Sequence, residues 1–108
     1  MRDVAIIGAG MIPFGRRDQD TLIDMLAYAS LKALDDAGVE DVSAVYVANM
    51  GGGILQHQTA IASALVDRLS LLPAAADLVE NGPASGGSAL KNGVLAVASG
   101  YYDVVLVA

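Results

Sequence analysis

The sequence predicts an α/β fold built on a mostly parallel sheet, and three observations carry that expectation. Short apolar runs at Val4–Gly8, Ala74–Val79 and Val104–Ala108, with a further strand at Val42–Met50, are the mark of strands covered on both faces. Between them lie segments of helical length and spacing. A strand, a helix and a further strand in repeated alternation give parallel strands joined by right-handed crossovers.

Val4 to Gly8 is the first expected strand. A loop follows from Gly10 to Gln19, with Pro13, Gly15 and the charged Arg16-Arg17-Asp18. Asp20 or Thr21 then caps a helix, and Asp24 stands where it can complete a capping box. Leu22, Met25, Leu26, Ala29, Ala33 and Leu34 recur at helical spacing, and Gly38 ends the helix. Val42 to Met50 is the second strand, broken by Gly51-Gly52-Gly53. A second helix is expected from about Gln58 or Thr59 to Leu69, with Ile61, Leu65 and Leu69 on one face. Pro73 separates it from the third strand, Ala74 to Val79.

The polar turn Glu80–Pro83 leads into a third helix, Ala84 to Ser99, that holds Gly86, Gly87 and Gly93. An interior glycine costs about 1 kcal/mol relative to alanine. Their presence predicts a buried helix, sandwiched where backbones approach closely. The chain closes on the fourth strand, Val104-Val105-Leu106-Val107-Ala108. No internal repeat or low-complexity tract interrupts this order.

The composition narrows the function classes. The 108 residues are 55% apolar and 17% charged, and alanine and glycine supply much of the apolar share. No apolar run approaches the roughly 20 residues of a spanning helix, and Met1-Arg2-Asp3 leads straight into a strand without a signal-peptide pattern. A cytoplasmic location is the expectation. A net charge of −6 argues against nucleic acid, which requires a basic surface. The absence of cysteine removes disulfides, thiolate metal sites and thiol catalysis from these residues.

The most informative stretch is Val79-Glu80-Asn81-Gly82-Pro83-Ala84-Ser85-Gly86-Gly87. Strand, sharp turn and helix place a side chain at a helix N-terminus, where free N–H groups and the dipole favour negative charge. Such a position lowers a thiol pKa and stabilises an oxyanion. Here it holds Pro83, which suits a first helical turn and has no nucleophilic atom. The platform lacks its nucleophile.

This stretch resembles the thiolase superfamily, in particular the archaeal and bacterial acetyl-CoA acetyltransferases and their sterol-carrier-type relatives. There the segment reads Val-Glu-Asn-Ala-Cys-Ala-Ser-Gly, and the Cys becomes acylated. This chain matches at Val79, Glu80, Asn81, Ala84, Ser85 and Gly86, and departs at Gly82 and Pro83. Val4–Gly8 with Pro13-Phe14-Gly15, Ala33–Val39, and Tyr101 with Asp103–Ala108 resemble further family blocks, in the same order.

The resemblance implies the strand order third, second, first, fourth. It also implies that residues 1–108 are the N-terminal part of a thiolase-like domain whose remainder is absent. An apolar strand at Val104–Ala108 with no polar exit agrees with an incomplete domain. The activity implied is that of an acyl-CoA C-acyltransferase, with acyl-CoA as substrate and no further cofactor. Pro83 stands at the nucleophile position, and Asn81, Gly82, Ala84, Ser85 and Gly86 line the substrate pocket. Pro83 also removes one N–H that an oxyanion could use. The third strand, through Asp77, Leu78 and Val79, is implied to form a homodimer or tetramer contact, since an uncovered edge invites pairing with another chain. A small zinc-containing OB-fold protein that holds acyl-CoA is an implied partner. A Cys-independent aldolase on acyl-CoA and a non-catalytic acyl-CoA-binding or scaffold subunit remain as alternatives.

Other motifs fare less well. Gly8-Ala9-Gly10 invites a dinucleotide reading, but Pro13 sits where the third glycine belongs and the helix starts late. Pro83-Ala84-Ser85-Gly86-Gly87 approximates the elbow of a serine hydrolase, with Ser85 as nucleophile. No His follows it; His57, the single histidine, lies upstream in a Gly/Gln-rich loop. Gly51-Gly52-Gly53 precedes no Lys-Ser/Thr and fails as a phosphate loop. Asp35-Asp36 and Glu40-Asp41 fit a solvated helix end and turn better than a metal site.

Overall fold

The computed structural model describes residues 1–108. Helix α1, Leu22–Ala37, begins with the capping box that Thr21 and Asp24 predict. The Thr21 hydroxyl accepts the Asp24 N–H at 3.1 Å, and the Asp24 carboxylate accepts the Thr21 N–H at 2.9 Å. Gly38 ends the helix in the left-handed region, φ 68°, where only glycine is free of a Cβ penalty.

The Asp24 carboxylate also accepts from Arg68 at 2.7 Å, tying the start of α1 to the end of α3 (Ile61–Arg68). The Thr21 backbone N–H, then Arg68, then the Thr21 hydroxyl hold this carboxyl down at about 2, against an ordinary 3.8. A depressed carboxyl stabilises the fold above its unfolded pKa of about 3.9, and loses that contribution as pH falls through its folded value. Asp24→Asn is therefore expected to unfold at lower urea than wild type at pH 6. That gap should narrow as pH falls from about 4 toward 2. A gap that stays constant over this range would show that Asp24 acts without its charge.

Strands β1 (Ala44–Ala48), β2 (Ala75–Val79) and β3 (Val105–Val107) form one parallel sheet in the order β2-β1-β3. Ala44 pairs with Ala75 on one side and Val105 on the other, and Ala48 pairs with Val79. Helix α3, Ile61–Arg68, packs on one face of β1 and β2, with α1 against it. Val45, Val47 and Leu106 meet Ile61, Leu65, Val66, Ala27 and Leu34 in that core. Helix α4, Ser85–Ala98, covers the other face. No helix is long and apolar enough to cross a membrane.

Three expectations need correction. Val4–Gly8 is not a strand, and the sheet order is third, second, fourth, not third, second, first, fourth. Both edges of β1 are taken by β2 and β3, so no slot remains beside it for the N-terminal segment. The segment is instead held at its ends. Arg2 bonds the Val97 and Tyr102 carbonyls and pairs with Asp103 at 2.9 Å, while Gly8 presses on α1 so closely that a Cβ would lie 2.6 Å from the Ala33 oxygen. Ile6 and Ile7 remain exposed between these anchors.

The helix after β2 is covered on one face only, so it is not the buried helix expected. Gly93 does need its smallness, since a Cβ there would come within 2.7 Å of Val107. Gly86 and Gly87 face open space, and Leu90, Val94 and Leu95 are exposed. Lastly, the second strand ends at Ala48 rather than Met50, and the triple glycine that follows opens a further element. Asn49 accepts the Gly52 N–H through its side chain at 2.6 Å and starts a one-turn helix α2, Gly52–Leu55.

Candidate functional site

The candidate site is the turn between β2 and α4. β2 delivers Val79 at the carboxyl end of the sheet, the end where open parallel sheets place their ligands. Gly82 adopts φ +53°, a left-handed conformation that a side chain would strain. Its N–H donates to the Glu80 carboxylate, which holds the turn from the outside. Pro83 follows exposed, and Ala84 precedes the first helical residue, Ser85.

Ser85 is the internal brace of this turn. Its buried hydroxyl accepts the Asn81 N–H at 2.8 Å and donates to the Gly82 carbonyl at 2.6 Å. The Asn81 side chain donates to the Ser88 hydroxyl at 3.0 Å, so the turn is clamped to the first helical turn twice. A serine whose proton is given to a backbone carbonyl is a structural brace in this arrangement, not a hydroxyl aimed at a general base. His57 lies in the exposed loop between α2 and α3 and takes no part in these bonds.

Gly86 and Gly87 sit in the first turn of α4, where N–H groups have no acceptor inside the helix. Both are exposed and carry no side chain to shield them. The structure thus brings Asn81, Gly82, Pro83, Ala84, Ser85 and Gly86 into one turn. The N–H groups of Asn81, Gly82, Ala84 and Ser85 are spent within the turn, those of Gly86 and Gly87 are not, and Pro83 has none. Asp77 and Leu78, on β2, are exposed along the unpaired outer edge of the sheet.

The largest cavity lies elsewhere. It measures about 650 Å³ and runs between Val4–Gly10, α1 and β3, lined mostly by apolar groups. The buried Ser30 hydroxyl at its wall has no hydrogen-bond partner. Of the acidic pairs, Asp36 accepts the Ala9 N–H at 2.9 Å, a role the sequence did not signal. Asn49 was missed as well; an Asn two residues before a Gly-Gly pair is the local signal that finds it.

Comparison with known proteins agrees with this architecture. A family model for the thiolase N-terminal domain matches residues 4–108. The chain is 46% identical over 110 residues to an acetyl-CoA acetyltransferase of Methanothermobacter thermautotrophicus, covering 100% of this chain and 29% of that protein. It is 42% identical over 109 residues to one of Methanocaldococcus jannaschii, covering 99% and 28%. Among solved structures, 3-oxoacyl-(acyl carrier protein) synthase III of Pseudomonas aeruginosa PAO1 superposes with a TM-score of 0.70 at 27% identity, over 79% of this chain and 26% of that one. The corresponding synthase of Aquifex aeolicus VF5 gives 0.71 at 18% identity, over 83% and 29%, a likeness of fold. The chain therefore spans less than a third of the length of these proteins. It belongs to the thiolase family, whose N-terminal domain it matches from Val4 to Ala108.

Proposed function

We propose that the chain is the N-terminal part of a thiolase-like acyl-CoA C-acyltransferase unit, in which the β2–α4 turn meets an acyl-CoA thioester without being acylated by it. The observation that carries this reading is Pro83, exposed at the tip of a braced turn beneath the free amides of α4. In a family whose activity depends on a cysteine thiolate at this turn, a pyrrolidine ring keeps the platform and removes the reaction. Proline also withdraws one N–H, leaving Gly86 and Gly87 as donors to a thioester oxygen. Their field is that of a helix N-terminus, which favours the partial negative charge of a carbonyl.

A Cys-independent aldolase or a non-catalytic acyl-CoA-binding subunit uses the same geometry, since neither requires an acyl-enzyme. Titration calorimetry with acetyl-CoA and with free CoA tests the shared claim. Acetyl-CoA is expected to bind more tightly than CoA, because the thioester oxygen adds its bonds at the turn. Equal affinity, or none for either, would overturn it.

The edge strand β2 supports a second part of the proposal, a symmetric dimer paired through Asp77, Leu78 and Val79. Leu78 is 45% exposed there, and antiparallel pairing with a second copy would satisfy its open ladder groups. The chain has no cysteine, so Asp77→Cys reports on this edge alone. Oxidation is expected to give a disulfide-linked dimer. A variant that stays monomeric at high concentration would contradict the dimer. The zinc-containing OB-fold protein belongs to the same proposal as a partner that carries acyl-CoA to this unit.

A further inference from the structure

We infer that Met50 is the residue that contacts the acyl group and sets its length, an inference that rests on the reading of the β2–α4 turn as an acyl-CoA site. β1 and β2 end side by side: Ala48 pairs with Val79, and the Asn49 N–H bonds the Val79 carbonyl at 3.2 Å. The two chains then leave the same end of the sheet together, Met50 from one and Asn81-Gly82 from the other. The Asn49 side chain turns its strand sharply by accepting the Gly52 N–H, which holds Met50 at the bend. From there the Met50 sulfur reaches to 3.9 Å of the Cβ position of Gly82, where no other heavy atom beyond the neighbouring residues comes within 4 Å.

Met50 is 58% exposed, an unbranched apolar side chain held in solvent beside a polar turn. Leu55, 76% exposed, folds back from α2 until its tip lies 2.9 Å from the Cβ position of Gly51, the residue next to Met50. A thioester whose oxygen bonds the Gly86 and Gly87 amides would direct its acyl carbons away from the helix. Met50 and Leu55 are the apolar groups at the strand ends that such carbons can meet. A thioether chain with three rotatable bonds adapts to chains of different length better than a branched residue. Each methylene removed from water adds to binding, so the contact with Met50 is where acyl length is read.

The test uses the protein labelled with ¹³C at its methionine methyls, of which there are four, all resolvable by single substitution. Acetyl-CoA is expected to move the Met50 methyl resonance, hexanoyl-CoA to move it further, and free CoA to leave it in place. Met50→Ala is expected to weaken both ligands but hexanoyl-CoA more, lowering the preference for hexanoyl-CoA over acetyl-CoA at least threefold; an unchanged preference would overturn the inference. If acetyl-CoA shifts the Gly86 and Gly87 amides but neither ligand moves Met50, the inference falls and the reading of the turn stands. If no acyl-CoA binds, both fall.

Discussion

Protein incubated with radiolabelled acetyl-CoA and then denatured is expected to carry no label. Covalent acylation requires an attacking atom, and Pro83, proposed to stand at the nucleophile position, has none. The chain contains no cysteine that could substitute. The nearest hydroxyl, that of Ser85, is buried and committed to the Asn81 N–H and the Gly82 carbonyl. Ser88 is occupied by the Asn81 side chain. Stable label on Ser85 or Ser88 would overturn this account and restore a serine nucleophile. The complementary variant, Pro83→Cys, returns a thiol to the helix N-terminus, where its pKa is expected to fall below the ordinary value of about 8.5. Its alkylation by iodoacetamide should be faster at pH 7 than that of Asp77→Cys on the strand edge. Equal rates would show that the α4 N-terminus does not activate a nucleophile here.

Leu65→Ala is expected to remove a large part of the stability. Leu65 is fully buried in α3 and packs into the core with Val45, Val47 and Leu106. Truncating a buried leucine costs about 3 kcal/mol, from lost transfer energy and the cavity left behind. In a domain of this size that is a melting point lower by roughly 10 to 20 °C. Leu72→Ala, at a side chain 72% exposed, is the control and should stay within about 0.5 kcal/mol of wild type. Equal shifts for the two variants would mean that the core is not where the structure places it.

Local chemistry was legible in the sequence. Thr21, Asp24 and Gly38 bound α1 as their side chains predict, because caps act over one turn and need no distant partner. The Gly82-Pro83 turn was legible for the same reason, since positive φ and a fixed proline φ are properties of the residues themselves. The fate of Val4–Gly8 was not. An apolar run says that a segment can pair, not which edge is open to it, and here β1 has both edges filled. The three glycines of α4 looked alike in sequence. Only Gly93 faces a strand: Gly87 points to a different side of the helix, and Gly86, on the same side as Gly93 but two turns earlier, meets nothing there. The elbow-like sequence offers Ser85 as a nucleophile, while its two hydrogen bonds across the turn make it a brace.

The central claim is that acyl-CoA meets this chain at the β2–α4 turn and leaves it unmodified. Backbone amide shifts recorded during titration with acetyl-CoA, and again after dialysis, test it most directly. The account predicts the largest changes at Gly82, Gly86 and Gly87, smaller ones along β1, and full return of the original spectrum once ligand is removed. Changes centred on Val4–Gly10 and the apolar cavity beneath it, or shifts that persist after dialysis, would contradict it.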